Sequence, residues 1–357
     1  MTQERLLNYL ELLLPAHSPG GDEREVDELL LPLFRKYATE VGQDAAENIW
    51  GLIRGSGDLP PLVVAAHKDE LGMIVKRVER DGSLRLQEIG GAHPWKYGEG
   101  LVDILADSGV IPGVMGVGSL HSTEETPRVH YAREHALGWE QIRVQTRLSP
   151  RELDRLGVYP GTRVVVHRSR KQPYVWNDCV CGFALDDKAA LAVMLECMEQ
   201  LAAGPPPPQD IYFAATAIEE QMCGGAAALA ARLGVDTMLA LEIGPVEPEY
   251  GLELDDRPIL WYKDRIGTYT KNFCDEFASL ATAMGLGIQR AVYSRASSDA
   301  TGSRLGGQVG RIAVLSFPVL NSHGYEVAPI GGILAMERLL TAYLRGDRGP
   351  RQDRKPS

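Results

Sequence analysis

Three continuous apolar runs, DIYFAATAI, TMLALEI and RIAVLSF, recur in the second half of the chain, with helical patterns between them in GGAAALAARLG and NFCDEFASLATAMG. Strands that alternate with helices return to one sheet by crossing over its face, so this rhythm predicts a largely parallel α/β sheet. Two earlier segments, NIWGLIRG and PLVVAAH, also read as strands, and the second has the unbroken apolar texture of a strand covered on both faces. Apolar spacing on either side of the break SPGGDE adds two helices between about Glu4 and Tyr37, with Ser18 and Asp22 offering cap chemistry. The stretch DDKAALAVMLECMEQLAA is a long helix, and the PPPP that follows it ends the pattern.

From about Gly72 to His167 the texture changes to short alternating runs punctuated by glycine, with Asp81-Gly82 as a hairpin signal in MIVKRVERDGSLRLQEIGG. The expected organisation is therefore a discontinuous α/β domain made of residues 1–71 and 168–345, interrupted at 72–167 by a small β-rich insert. A polar, proline-bearing tail, residues 346–357, is expected to be mobile.

Composition excludes several classes. With 44% hydrophobic and 24% charged residues, the chain falls among ordinary globular proteins and away from disordered, fibrous and membrane ones. A net charge of −11 would repel a phosphate backbone, and no basic stripe interleaved with aromatics offsets it, so nucleic acid is not an expected partner. No apolar run reaches the ~20 residues that span a bilayer, and the opening MTQERLLNYLELLLPAHS carries acidic residues in a helical pattern and not a cationic signal. A cytoplasmic location is expected. The five cysteines lack paired metal-site spacing and read as buried thiols.

Ligands of an open α/β sheet bind beyond the carboxyl ends of its strands. There the sequence places His67 and then Asp69 after PLVVAAH, Glu219-Glu220 after DIYFAATAI, Glu242 within TMLALEI, and His323 in the PVLNSH loop after RIAVLSF. Asp186 stands at LDDK, before the long helix. Two imidazoles and three carboxylates form the mixed nitrogen and oxygen set that suits zinc, cobalt or manganese in a catalytic site. With Asp186 as bridge, His67 and Glu242 are assigned to one cation and Glu220 and His323 to a second. Asp69 is assigned as the acceptor that fixes the His67 tautomer. Because side chains alternate along an extended strand end, Glu219 stays free when Glu220 binds metal, and it is the expected general base.

Each signal has an ordinary reading. A lone histidine is usually a hydrogen-bonded structural residue, which is how His17, His93, His121, His130, His135 and His167 are read. Asp-Asp at a helix start is usually a cap, and Glu-Glu a solvated face. Acidic groups directly after buried strands, however, are costly to desolvate unless a cation offsets them.

The segments AAHKDELGMIV, ALDDKAAL, AIEEQMCGGA, LEIGP, SSDAT and SHGYE, in this order, resemble the co-catalytic metalloaminopeptidases that include the tetrahedral, glutamyl and deblocking aminopeptidases. The resemblance implies an α/β catalytic domain with a β-rich insert that supports oligomer formation, a dimer building block and, in some members, a dodecamer. It places metal histidines at His67 and His323, the bridging aspartate at Asp186, and base and ligand at Glu219 and Glu220. It also sets Asp299 of SSDAT near the substrate amine. Two positions depart from the pattern. Glu242 stands where aspartate is usual, so either the longer side chain binds the same metal or that metal is weaker or different. CVCGFALDDK lacks the basic residue that many relatives carry there. The implied activity is hydrolysis of amino-terminal residues from peptides. A deacylase of N-acylated amino acids is the alternative within the enzyme class, and an inactive assembly module the alternative outside it; Glu219 together with a full ligand set argues against the latter.

Overall fold

A computed structural model of the chain describes residues 1–348, so residues 349–357 of the expected tail lie outside the described residues. The apolar runs assemble into an eight-stranded sheet in the order Glu40–Gln43, Ile49–Ile53, Ile211–Thr216, Leu62–His67, Thr237–Pro245, Arg311–Val319, Ile259–Lys263, Gln289–Val292. Its four central strands, from Ile211–Thr216 to Arg311–Val319, are parallel. Every residue of Leu62–His67 is buried, as expected of a strand packed on both faces.

The flanks are less parallel than the alternating pattern predicts. Ile49–Ile53 runs antiparallel to Ile211–Thr216 and forms a hairpin with Glu40–Gln43. The Asp44 carboxylate closes that hairpin by accepting the Ala46 and Asn48 N–H groups at 2.9 and 3.0 Å. So short a link has no room for a crossover helix, which forces antiparallel pairing. On the other side Ile259–Lys263 pairs antiparallel with Arg311–Val319.

Register positions the site. Ala65 lies opposite Ala240, and His67 opposite Thr216. Two residues beyond the Ala65–Ala240 pair, on the same face, come His67 and Glu242. The helix Leu185–Ala202 packs on the strands that carry both and is buried without interruption from Leu185 to Met198, which explains why its sequence is apolar on nearly every face.

Six strands between Gly72 and Val166 close into a barrel around a separate core that includes Met73, Leu86, Val102, Ile104, Val144 and Val164. Its Asp81-Gly82 turn needs the glycine: φ is +80°, and a Cβ would stand 1.8 Å from the Leu148 carbonyl oxygen. A buried ionic cluster ties the barrel to the sheet. Lys171 Nζ donates to Glu70 at 2.8 Å and to the Ala16 carbonyl at 3.1 Å, while His17 Nε2 lies 3.0 Å from Asp103 of the barrel. Burial works against the Glu70 charge, but Lys171, Lys188 and His17 outweigh it and hold the carboxyl down at about 2.

No helix among the described residues is long and apolar enough to cross a membrane. All five cysteines are free and buried.

Candidate metal centre

His67 ends its strand with the ring turned to the carboxyl edge of the sheet; the next residue, Lys68, points the other way and pairs with Glu23 and Asp27. His67 Nδ1 lies 3.0 Å from the Asp69 carbonyl oxygen. A carbonyl only accepts, so Nδ1 carries the hydrogen and Nε2 faces inward, 3.0 Å from Asp186 Oδ1. The tautomer is thus set by the backbone of Asp69, in place of the side chain expected from the sequence. The Asp69 carboxylate oxygen is farther, at 3.6 Å. Instead the two carboxylate oxygens accept the N–H groups of Glu219 (Oδ1) and Glu220 (Oδ2) at 2.9 and 3.2 Å, holding the start of the short helix that presents both glutamates.

The two ligand-bearing turns are entered through residues in left-handed backbone, Ala184 at φ 62° and Ile218 at φ 61°. For a β-branched isoleucine this conformation is rare and costs about 1–3 kcal/mol. Ile218 is held there in part by its N–H donating to Glu23 at 3.2 Å.

Five side chains converge as two sets that share one member. His67, Asp186 and Glu242 offer ligand atoms within 4.8 Å of one another, and so do Asp186, Glu220 and His323. His323 Nε2 stands 3.6 Å from Glu220 Oε2 and 3.9 Å from Asp186 Oδ2. Its side chain is 37% exposed, so the second set opens to the cleft while the first is closed. Glu219 belongs to neither set and is buried beside them, its carboxylate accepting from the Cys223 thiol at 2.9 Å.

The electrostatics test whether cations suit this cluster. Burial, reinforced by neighbouring carboxylates, pushes Glu219, Glu220 and Glu242 well above the usual carboxylate range. Asp187, also buried and raised, has no hydrogen-bond partner for either oxygen. The nearby lysines are committed elsewhere, Lys68 to Glu23 and Asp27 and Lys171 to Glu70. Burial opposes a charged His67 ring, yet its contact with Asp186 raises it overall. One imidazolium cannot balance this many carboxylates. Divalent cations fit the donor set and would reverse these shifts.

Other residues fall outside the cluster. Asp299 does not reach the cleft: it is 2% exposed, its Oδ2 accepts from the Thr216 hydroxyl, and Oδ1 is unpartnered. None of the six histidines read as structural joins either set of convergent ligands among the described residues. Sequence reasoning missed Glu326, whose two oxygens accept the backbone N–H groups of Asp186 at 3.1 Å and His323 at 3.2 Å. Burial and then Asp186 push it up to about 8. Its signal was its place three residues after a candidate ligand, within SHGYE.

A parallel-centred sheet with an inserted closed barrel and convergent candidate ligands at strand ends defines the class, an α/β protein with a candidate metal centre at the carboxyl edge of its sheet. An aminopeptidase from Desulfurococcus kamchatkensis superposes with a TM-score of 0.87 at 21% identity, covering 97% of this chain and 96% of that one. The TET1 peptidase of Pyrococcus horikoshii, described as assembling into a tetrahedron or a large octahedral shell, gives 0.84 at 20% identity over 96% and 99%. In sequence, lysyl aminopeptidase of Pyrococcus furiosus is 29% identical over 199 residues, 52% of each chain. This chain spans about half the length of the curated relatives it matches. The model of the M42 glutamyl aminopeptidase family matches residues 47–339, and the chain belongs to that family.

Proposed function

We propose that the chain is a metal-dependent aminopeptidase that removes residues from the amino ends of peptides, with Glu219 as general base. The observation that carries this reading is the pair of ligand sets meeting at Asp186 with a buried, uncoordinated carboxylate alongside. His67, Asp186 and Glu242 would hold one divalent cation and Asp186, Glu220 and His323 the other, with zinc or cobalt best suited and manganese also compatible. Bound there, the cations would supply Lewis acidity to the scissile carbonyl and to the attacking water.

The chain's own groups do the rest. Glu219 takes a proton from the attacking water as its oxygen bonds to the carbonyl carbon, then delivers that proton to the leaving amine as the C–N bond breaks. The Cys223 thiol keeps the carboxylate oriented between these transfers. Asp69 fixes the turn from which Glu219 projects. Asp299, stacked behind through Thr216, supports the same strand end, and any influence on the substrate amine is through charge and not contact. Assembly with further copies of the chain, in the manner described for the TET1 peptidase, belongs to the same proposal.

The experiment is a comparison of aminoacyl-anilides with their N-acetylated counterparts, using purified chain supplied with zinc, cobalt or manganese. Cleavage of the free-amine substrates alone is expected. Cleavage restricted to the blocked set would replace this reading with the deacylase.

A further inference from the structure

The cleft over the ligand sets has a volume of about 230 Å³, and its walls carry Arg265 and Arg295 along with Asp186, Glu219, Glu220 and Glu242. The two arginines arrive from separate loops, which are tied together where the Arg265 N–H donates to the Ala296 carbonyl at 2.9 Å. Both are exposed, and neither guanidinium makes a hydrogen bond or ion pair among the described residues.

Their lack of partners contrasts with their surroundings. Arg257, Arg304 and Arg311, from the same half of the chain, are each engaged by carboxylates, carbonyls or a hydroxyl. The carboxylate next to Arg265 in sequence, Asp264, is fully occupied: it accepts from the Ile266 and Gly267 N–H groups and from the Tyr269 and Thr301 hydroxyls. The acids on the cleft floor are those that would hold cations and, in Glu219, the proposed base. In a chain of net charge −11, two free guanidinium groups facing one cleft call for an anion brought by the ligand. Guanidinium is the group best shaped to receive a carboxylate, by two parallel N–H donors.

We propose that Arg265 and Arg295 receive the terminal carboxylate of a short peptide whose amino end lies at the Asp186 cluster, so that short peptides with a free carboxyl end are the preferred substrates. This rests on the aminopeptidase reading above. Exposure decides which carboxylate is meant. A pocket that selects the first side chain encloses it, whereas these arginines stand open at the cleft wall, where the remainder of the peptide leaves.

The test compares Ala-Ala-Ala with its carboxamide and with alanine p-nitroanilide, on metal-supplied full-length chain and on Arg265→Gln, Arg295→Gln and the double variant. Charge-assisted pairing predicts a KM for the free acid roughly 10- to 100-fold below that for the amide. The double variant should lose that preference, while its kcat/KM on the anilide, which has no carboxylate, stays within about twofold of the unaltered chain. Equal handling of acid and amide, or a preference that survives in the double variant, overturns the proposal. So does an arginine-dependent preference for Glu-Ala-Ala over Gln-Ala-Ala in place of the carboxyl-end effect, since the carboxylate read would then be a side chain. If the anilide is not cleaved at all, the aminopeptidase reading fails by itself. Calorimetric binding of Ala-Ala-Ala and its amide then still decides the role of the arginines.

Discussion

Removing the Glu326 side chain should disturb the centre more than its position outside the ligand set implies. One carboxylate accepts two backbone N–H groups, those of Asp186 and His323, and these belong to the residue shared by both sets and to the ligand most open to solvent. Glu326 is 1% exposed, so water cannot replace it without a cavity. In Glu326→Ala two N–H donors lose their acceptor, at about 1–3 kcal/mol each, or about 2–6 kcal/mol in all if neither finds a new one. His323 already holds a left-handed backbone at φ 64°, and without the Glu326 anchor its loop should relax. Part of the cost therefore appears as lost stability and part as displaced ligands, the latter worth about 10- to 100-fold in metal affinity. Glu326→Gln keeps one acceptor and turns an amide against the other N–H, so an intermediate loss is expected. Competition against a chelating dye measures the affinity, and chemical denaturation of metal-free chain measures the stability. An unchanged denaturation midpoint together with unchanged affinity in Glu326→Ala would refute the reasoning.

Three further outcomes are expected. Glu219→Gln should cut kcat by about 10²- to 10⁴-fold with metal content unchanged, read by elemental analysis beside anilide hydrolysis; loss of metal in this variant would exchange the roles of Glu219 and Glu220. Glu70→Gln should destabilise the fold by about 3 kcal/mol at neutral pH, because a folded-state value of about 2 against 4.5 for the free side chain converts at about 1.4 kcal/mol per unit. A depressed carboxyl stabilises above its unfolded value, so the gap between the two proteins in urea melts should be full above about pH 5 and close as pH falls toward 2. Gly91→Ala would put a Cβ 2.6 Å from His323 Nδ1; since that ring sits at the open side of the site it should swing aside, weakening one cation's binding by about tenfold while leaving the metal-free melting temperature unchanged.

The central strands and the convergence of the candidate ligand residues were legible because buried parallel strands are continuous apolar runs, and a charged residue at the end of such a run has few other uses. PLVVAAH and TMLALEI carried that signal directly, and their register brings His67 and Glu242 together. The antiparallel flanks were not legible, since NIWGLIRG has no feature that separates a hairpin partner from a crossover strand. Asp69 was placed near the right histidine but with the wrong group in contact, because whether a carbonyl or a carboxylate faces the ring depends on the turn after His67. Asp299 lies against Thr216, a partner 83 residues away, and Glu326 acts on backbone N–H groups that no side-chain pattern reveals. Each of these is a tertiary contact of a single polar group, and spacing along the chain does not encode it.

The most direct measurement is elemental analysis of metal bound per chain after dialysis against zinc or cobalt, for the unaltered protein beside Glu242→Ala, His323→Ala and Asp186→Asn. Two sets of ligands sharing Asp186 predict two ions in the unaltered chain, one in either of the first two variants, and neither held tightly in the third. A single ion in the unaltered chain, or two retained by Glu242→Ala, would contradict the account.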